Sequence, residues 1–491
     1  MNSGLEKLKQ SGLLVLGTVL TGCGQLPLLH SAPEPAVEAR QWCKNLFAQV
    51  DSQVAEAGLR DAGTHYIADF PYLRSDRFLA SLAVQTDNPV RYQAWLDRLA
   101  RLDQQVRGVE LANLDARGAL GEAVPTLQRR LAHCRAALVE AELGDARGRE
   151  RIIAAAQVPD DYSLLQRTLG LYPLAVPFMK LGISNFQRDA KAAFASPLPA
   201  DGGQLIQWWP EAGTELGAEQ IQQWIDSAAL DPLGVPQITA RQWEMLAAEF
   251  APVFLIDSQS SADQPGTPIW MDGVPTVDHT RPQVFVVTGF AQLGQRILPQ
   301  ISYTIWFSER PPEDGFDPYA GKLDGVTWRV TLGTDGQPLA YDTIHACGCY
   351  HYVFPTRPLR AKAAGAFSEA VLVPQEIAPL GQVAVRLEAG THYVTKVIPA
   401  AELYADAARA YGLASYRSLL SVTDEQGWPR PLFSADDGLV KGSERAERYY
   451  LWPSGVRSPG TMRQWGRHAT AFVGRRHFDE PGLLCEVLAC P

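Results

Sequence analysis

The fold class that the sequence predicts is α+β: an N-terminal helical bundle followed by a mixed, mainly antiparallel β-sheet domain with flanking helices. Three observations carry it. Apolar residues recur at helical spacing as far as Ala195. From Pro282 to Ile398 short runs rich in β-branched and aromatic residues take over. Between the two, Ser196-Pro-Leu-Pro-Ala-Asp-Gly-Gly203 has the composition of a linker. With 491 residues, 46% hydrophobic and 20% charged, the chain has globular proportions and enough length for more than one core. A formal net charge of -10 argues against nucleic acid as a partner, because phosphate binding normally needs a basic surface.

At the start, Lys7 and Lys9 precede an uncharged run, Ser11 to Thr21, that leads into Leu20-Thr21-Gly22-Cys23. The run is too short to span a bilayer, and its basic flank suits a secretory signal. This stretch resembles bacterial lipoprotein precursors, whose lipobox is cleaved just before a cysteine that then carries the lipid. The resemblance implies a signal peptide over 1–22, lipidation of Cys23 and anchoring to a membrane. With Gly24 rather than Asp after the cysteine, it implies the outer membrane and a periplasmic, cell-envelope location. Residues 23–35, with Pro27, Pro33 and Pro35, then read as a tether.

The helical domain is expected over 36–195. Trp42, Cys43, Leu46, Phe47, Val50 and Val54 recur at helical spacing, as do Leu127, Leu131, Cys134 and Leu138. Each cysteine falls on an apolar stripe, so a Cys43–Cys134 bridge between packed helices is the preferred pairing, with two buried thiols as the alternative. A further helix is expected from Asn88 to Val109 with an Asn-Pro start. Leu169 to Ile183 is almost free of charge and broken by Pro173 and Pro177. It reads as a buried, kinked core helix, or alternatively as a loop dipping into the bilayer surface.

The α+β domain is expected over 204–491. Helices are suggested at Ala218 to Ala229 and Ala240 to Phe250, and strands at Pro282 to Thr288, Gln300 to Phe307, Val326 to Leu332 and Leu339 to Ala346. Asp335-Gly336 between the last two is a strong hairpin signal. Further strands are expected at Ala370 to Val373, Val383 to Leu387 and Tyr393 to Ile398, and a helix at Pro399 to Ala414.

Familiar catalytic signatures are absent: no His-Glu-x-x-His, Gly-x-Ser-x-Gly, P-loop, Cys-x-x-Cys or Cys-x-x-Cys-His occurs. What stands out is His345-Ala-Cys347-Gly-Cys349-Tyr-His351. An extended strand puts its two histidines and two cysteines on one face, the cysteines about 6.6 Å apart and the histidines about 20 Å apart. Both histidines reach one ion only if the chain bends, and Gly348 permits a tight loop there. Cys347 and Cys349 with His345 or His351, and a further ligand from His392, His468 or His477, would suit Zn²⁺ or copper. In an oxidising compartment the same cysteines could instead bridge with Cys485 and Cys490, or with each other, and Cys485 and Cys490 are also near enough to bridge to one another. Asp317, Asp324, Asp342 and Glu309 are acid–base candidates without distinctive spacing. Near the C-terminus Arg463, Arg467, Arg475 and Arg476 form a cationic cluster that could hold an anion, phospholipid headgroups or the protein's own carboxylates.

Two function classes stay open. One is a non-enzymatic envelope lipoprotein that presents a surface to an envelope partner. The other is a metal-binding enzyme or carrier centred on residues 345–351.

Overall fold

In the computed structural model, described residues are 35–197, 204–356, 360–403 and 408–490, except 212, 214, 215, 314 and 380. The expected signal peptide, Cys23, nearly all of the tether and the centre of the linker therefore lie outside the described residues. The fold is α+β, with a helical half leading into one large mixed sheet.

Helices α1 (Pro35–Glu56), α2 (Arg77–Leu82), α3 (Pro89–Ala116), α4 (Val124–Leu143) and α5 (Ala146–Ala155) form the first half, with a small ribbon of β1 (His65–Tyr66) and β2 (Arg74–Ser75) before α2. Their starts follow local chemistry: Asp76 caps α2 by accepting from Leu79 N–H, and Asn88 caps α3 with Pro89 behind it. The stripe on α1 packs as its spacing predicts, with Phe47, Val50 and Val54 meeting Leu131, Cys134 and Leu138 of α4 in one core. Trp42 departs from that expectation. It is 51% exposed, with Arg130 lying over its ring. Cys43 and Cys134 are joined as a disulfide.

Then follow α6 (Leu164–Leu169) and α7 (Tyr172–Ala195). The expected burial of Leu169 to Ile183 is only half met, because Val176 and Met179 are buried while Leu171, Leu174, Phe178 and Leu181 face outward. The C-terminal turns of α7 sit on the sheet, where Phe186, Ala190 and Phe194 join its core.

The second half opens with β3 (Gln204–Pro210), α8 (Ala218–Ser227), α9 (Ala240–Glu249) and β4 (Val253–Ser258), then a ribbon of β5 (Thr267–Met271) and β6 (Val274–Asp278). Four long strands come next: β7 (Gln283–Leu293), β8 (Arg296–Arg310), β9 (Gly321–Leu332) and β10 (Pro338–His345). They are followed by β11 (Tyr352–Pro355), β12 (Val383–Leu387), β13 (Val394–Pro399) and β14 (Ala408–Ser415), and by a last ribbon of β15 (Val422–Thr423) and β16 (Pro429–Arg430). Two short helices, α10 (Arg448–Leu451) and α11 (Leu483–Val487), punctuate an otherwise irregular C-terminal segment.

The main sheet runs β11-β10-β9-β8-β7-β14-β3-β4-β12-β13. Its first five strands pair antiparallel, whereas β14 is parallel to both neighbours and β12 is parallel to β4. The β9–β10 hairpin turns at Asp335-Gly336 as expected. Gly336 has a φ of +73°, and a Cβ there would stand 2.5 Å from the Ala218 carbonyl oxygen, so glycine is required twice over. Two expectations fail. Of the expected helix at 399–414, Pro399 ends β13, Ala400–Glu402 form a short 3₁₀ turn and 408–414 belong to strand β14, which fills a place in the sheet. Residues 370–373 contribute only a single bridge, Leu372 with Tyr352.

Both faces of β8 to β10 are buried. One face meets α7 and α9, and the other lies under the C-terminal segment, through Trp306, Leu323 and Ala346 with Met462 and through Ala340, Ile344 and Val353 with Phe478 and Leu484.

Candidate functional site

The motif at 345–351 is not a strand. β10 ends at His345, and the next six residues turn the chain back into β11, with Gly348 N–H donating to His345 O and His345 N–H donating to Cys349 O. Gly348 has a φ of +88°, and a Cβ there would lie 2.8 Å from the Ala469 carbonyl. The single face of four heteroatoms expected for an extended strand is therefore split in three.

Cys347 and Cys349 are free, buried thiols packed among Trp306, Leu323 and Met462. The Cys347 thiol beside it, together with burial, pushes the Cys349 pKa up, and a protonated thiol is a poor metal ligand. The expected alternative partners of this pair, Cys485 and Cys490, are bonded to each other. His351 faces away, its Nε2 3.4 Å from Asp342 Oδ2, where Arg329 donates from Nε to Asp342 at 2.8 Å. His477 lies 3.4 Å from Asp160 and 3.6 Å from Asp161, edge-on to Tyr162, and His468 is buried beside Trp465. Burial lowers His351 and His477 to about 4 and His468 to about 3. Among the described residues no group of three or more His, Cys, Asp or Glu side chains is placed to hold a metal ion.

The arginine cluster is engaged with the protein itself. Arg463 donates to the Arg457 and Ser458 carbonyls, Arg467 to Ala62 O and Asp161, Arg475 pairs with Asp160, and Arg476 donates to Glu369 O.

Of the candidates, His345, His392 and Asp324 do come together, and Asp263, which the sequence does not single out, joins them. His392 Nδ1 lies 2.8 Å from Asp324 Oδ2, and its Nε2 faces Asp263 Oδ1 at 3.6 Å. On the other side of Asp324, His345 Nδ1 stands 3.6 Å from Oδ1, with Arg445 at 3.8 Å. Asp263, His392, Asp324 and His345 thus form a buried chain of alternating carboxylate and imidazole. Burial opposes ionisation of Asp324, but His345 and His392 outweigh it and hold the carboxyl well below its ordinary value. Burial likewise opposes charge on Asp263; His392 and the N–H groups of Gly390, Gln259 and Ser260 hold it at about 2. For His392 burial is overcome by Asp263 and Asp324, so its pKa is raised, whereas for His345 burial prevails and its pKa is lowered. The flanking carboxylates and burial therefore pull the two imidazoles in opposite directions, His392 towards and His345 away from the protonated form.

Phe307 stacks flat on His392 at 3.9 Å, and the half-buried Tyr350 and Tyr393 close over His345. His345 Nε2 is buried without a hydrogen-bond partner. Leu323, Tyr350 and His392, all at this spot, have φ of 55°, 61° and 53°. Non-glycine residues hold such angles at a cost of about 1–3 kcal/mol each only where their surroundings over-determine them.

The open surface is elsewhere. A cleft of about 1010 Å³ lies between α2–α3 and the β7–β8 face. Its walls carry Phe78, Trp243, Phe290 and Trp465, and its charged groups include Asp76, Asp479, Arg101 and Arg417. Burial raises Asp479 to about 6 despite Arg77, whose Nε is 3.2 Å away, and also raises Asp76, which the Leu79 N–H partly offsets. Arg98 pairs with Asp231, but among the described residues Arg101 and Arg417 have no carboxylate within 4.0 Å. These positions lie on at least five separate stretches of chain, and no spacing rule links them. No family model, no curated protein and no solved structure matches this chain.

Proposed function

We propose that this protein is a lipid-anchored component of the bacterial cell envelope, held to the outer membrane through Cys23, and that it binds an anionic envelope ligand in the cleft between its helices and its sheet. The observation that carries the binding role is the cleft itself. Its volume is of the size that takes a small ligand, and aromatic walls with a few convergent polar groups are the usual lining of such sites. Arg101 and Arg417 line it with, among the described residues, no carboxylate within 4.0 Å, although the charges of Asp61 and Asp76 act on Arg417; both offer forked donors to a carboxylate or phosphate, and the rings offer flat apolar surface to the rest of the ligand. The anchor rests on the Leu20-Thr21-Gly22-Cys23 stretch and on Cys23 ending an apolar run.

The test is a thermal-shift panel of carboxylated and phosphorylated small molecules against the parent protein and an Arg101→Glu/Arg417→Glu variant. The proposal expects at least one anionic compound to raise the melting temperature of the parent and not of the variant. A panel with no response, or a response that survives the double substitution, sinks it. For the anchor, Cys23→Ala is expected to move the protein out of the membrane fraction.

A further inference from the structure

A run of eighteen residues, 164–181, exposes Leu164, Leu165, Leu169, Leu171, Leu174, Phe178 and Leu181, each between 61% and 77% accessible. Isolated exposed leucines are ordinary, but a contiguous apolar surface of this extent marks a contact. The geometry of the α6–α7 hairpin produces it. Gly170 abuts Pro453 so closely that a Cβ would come within 2.7 Å of that ring, and Leu171, with a φ of 47°, reverses the chain with its side chain 61% exposed. On α7 the positions 171, 174, 178 and 181 then form one stripe. Further along the same helix the outer residues are polar: Ser184, Asn185, Arg188 and Asp189.

We infer that the tip of this hairpin is seated in the bilayer, with the stripe from Leu171 to Leu181 among the acyl chains and the rest of α7 outside. Three observations select lipid as the occupant. No charged side chain occurs from Thr168 to Met179, and of the two charges that flank this stretch Arg167 is turned inward onto the Ser454 and Gly474 carbonyls, which leaves the outer surface between them wholly uncharged. Beside the hairpin, exposed Phe367 sits in a loop with exposed Arg360 and Lys362, joined to α7 by Lys180 donating to Gly365 O at 2.8 Å. Finally, Cys23 is separated from the start of α1 at Pro35 by a segment that spans at most about 40 Å when fully extended. A lipid on that cysteine keeps the body beside the membrane; this third point rests on the anchor proposed above.

The test labels Leu174→Cys or Ser184→Cys in the full mature chain with a fluorophore, in vesicles of phosphatidylethanolamine and phosphatidylglycerol. Cys347 and Cys349 are 5% and 7% exposed and do not compete for the label, and where Cys23 carries no lipid the labelling is repeated on a Cys23→Ser background. The same sample is weighed by mass spectrometry for lipid on Cys23. Expected is quenching of the Leu174 label by acyl-chain spin labels, and several-fold weaker quenching by aqueous iodide than at Ser184. Iodide quenching of both labels, with the Cys23 lipid present, overturns the inference and leaves the anchor standing. Lipid-dependent quenching at Leu174 without lipid on Cys23 supports the hairpin and removes the anchor. Protection from both quenchers means that a second copy of the chain covers the stripe, and also overturns it.

Discussion

At the scale of single residues, Asp324 is the position on which the buried chain depends, because both histidines on either side of it face its carboxylate. Asp324→Asn keeps the shape and removes the charge, leaving His392 with Asp263 as its remaining carboxylate neighbour. Breaking a buried pair costs about 3–5 kcal/mol, and a loss of that order is expected in urea denaturation. A loss well under 1 kcal/mol contradicts the charge assignment. The pH dependence can be signed. His351, His468 and His477 are neutral in the folded protein down to about 4, 3 and 4, whereas in the unfolded chain they bind protons near 6.5. As pH falls below about 6.5 the unfolded state takes up these protons first, so each histidine lowers stability by about 1.4 kcal/mol per pH unit until its folded value is passed. Glu447 and Asp479, raised by burial to about 7 and 6, act oppositely, since the folded state is protonated first and gains stability as pH falls. His392, with its raised pKa, contributes stability below its unfolded value that is lost as pH rises through its folded one. His468→Gln is therefore expected to make the stability profile between pH 6 and 4 shallower, and Glu447→Gln to make it steeper. Urea midpoints across that range check both. His345 and His392 are visible in the sequence as isolated histidines, and the sequence gives each a metal-binding reading. Asp324 is visible too, as an acid–base candidate, but its pairing with both is not, because long-range pairing between β9, β10 and the turn before β13 leaves no trace in local spacing.

At the scale of elements, the two disulfides differ in what they restrain. Cys43–Cys134 closes a loop of 91 residues between α1 and α4, and Cys485–Cys490 one of 5 at the end of α11. Chain-entropy arguments give the long loop about 4–5 kcal/mol and the short one about 2 kcal/mol. Replacing Cys43 and Cys134 by serine is expected to lower stability about twice as much as replacing Cys485 and Cys490, as read by guanidinium unfolding; equal effects would show that the helices stay associated in the unfolded chain. The long pairing was legible because both cysteines lie on apolar stripes. The strand reading of 345–351 failed because alternation alone does not reveal a turn, although Gly348 supplied the hint. The helix reading of 399–414 failed for a related reason: helical spacing of apolar residues says nothing of a sheet edge waiting for a strand between β7 and β3. In α7 the apolar run was plain, but which of its faces found protein to pack against was settled only by the tertiary fold.

At the scale of the whole molecule, helices and sheet are joined mainly by the irregular C-terminal segment. Asn113 of α3 donates to Leu420 O, Arg117 to Pro429 O, Gln464 to Asp61, and Arg167 to Ser454 O. Composition and periodicity made the two-part α+β order readable from the start. The cleft between the parts was not, since its walls come from α2, α3, β7, β8 and the segment around residue 465. The same segment supplies Phe478, Leu483, Leu484, Val487 and Leu488, which seal the outer face of β10 and β11. Without them the outer face of those two strands loses its apolar cover, so this end of the sheet depends on a segment that itself carries little regular structure. Shortened forms ending before Phe478 should accumulate as protease-sensitive chains even though every strand is present.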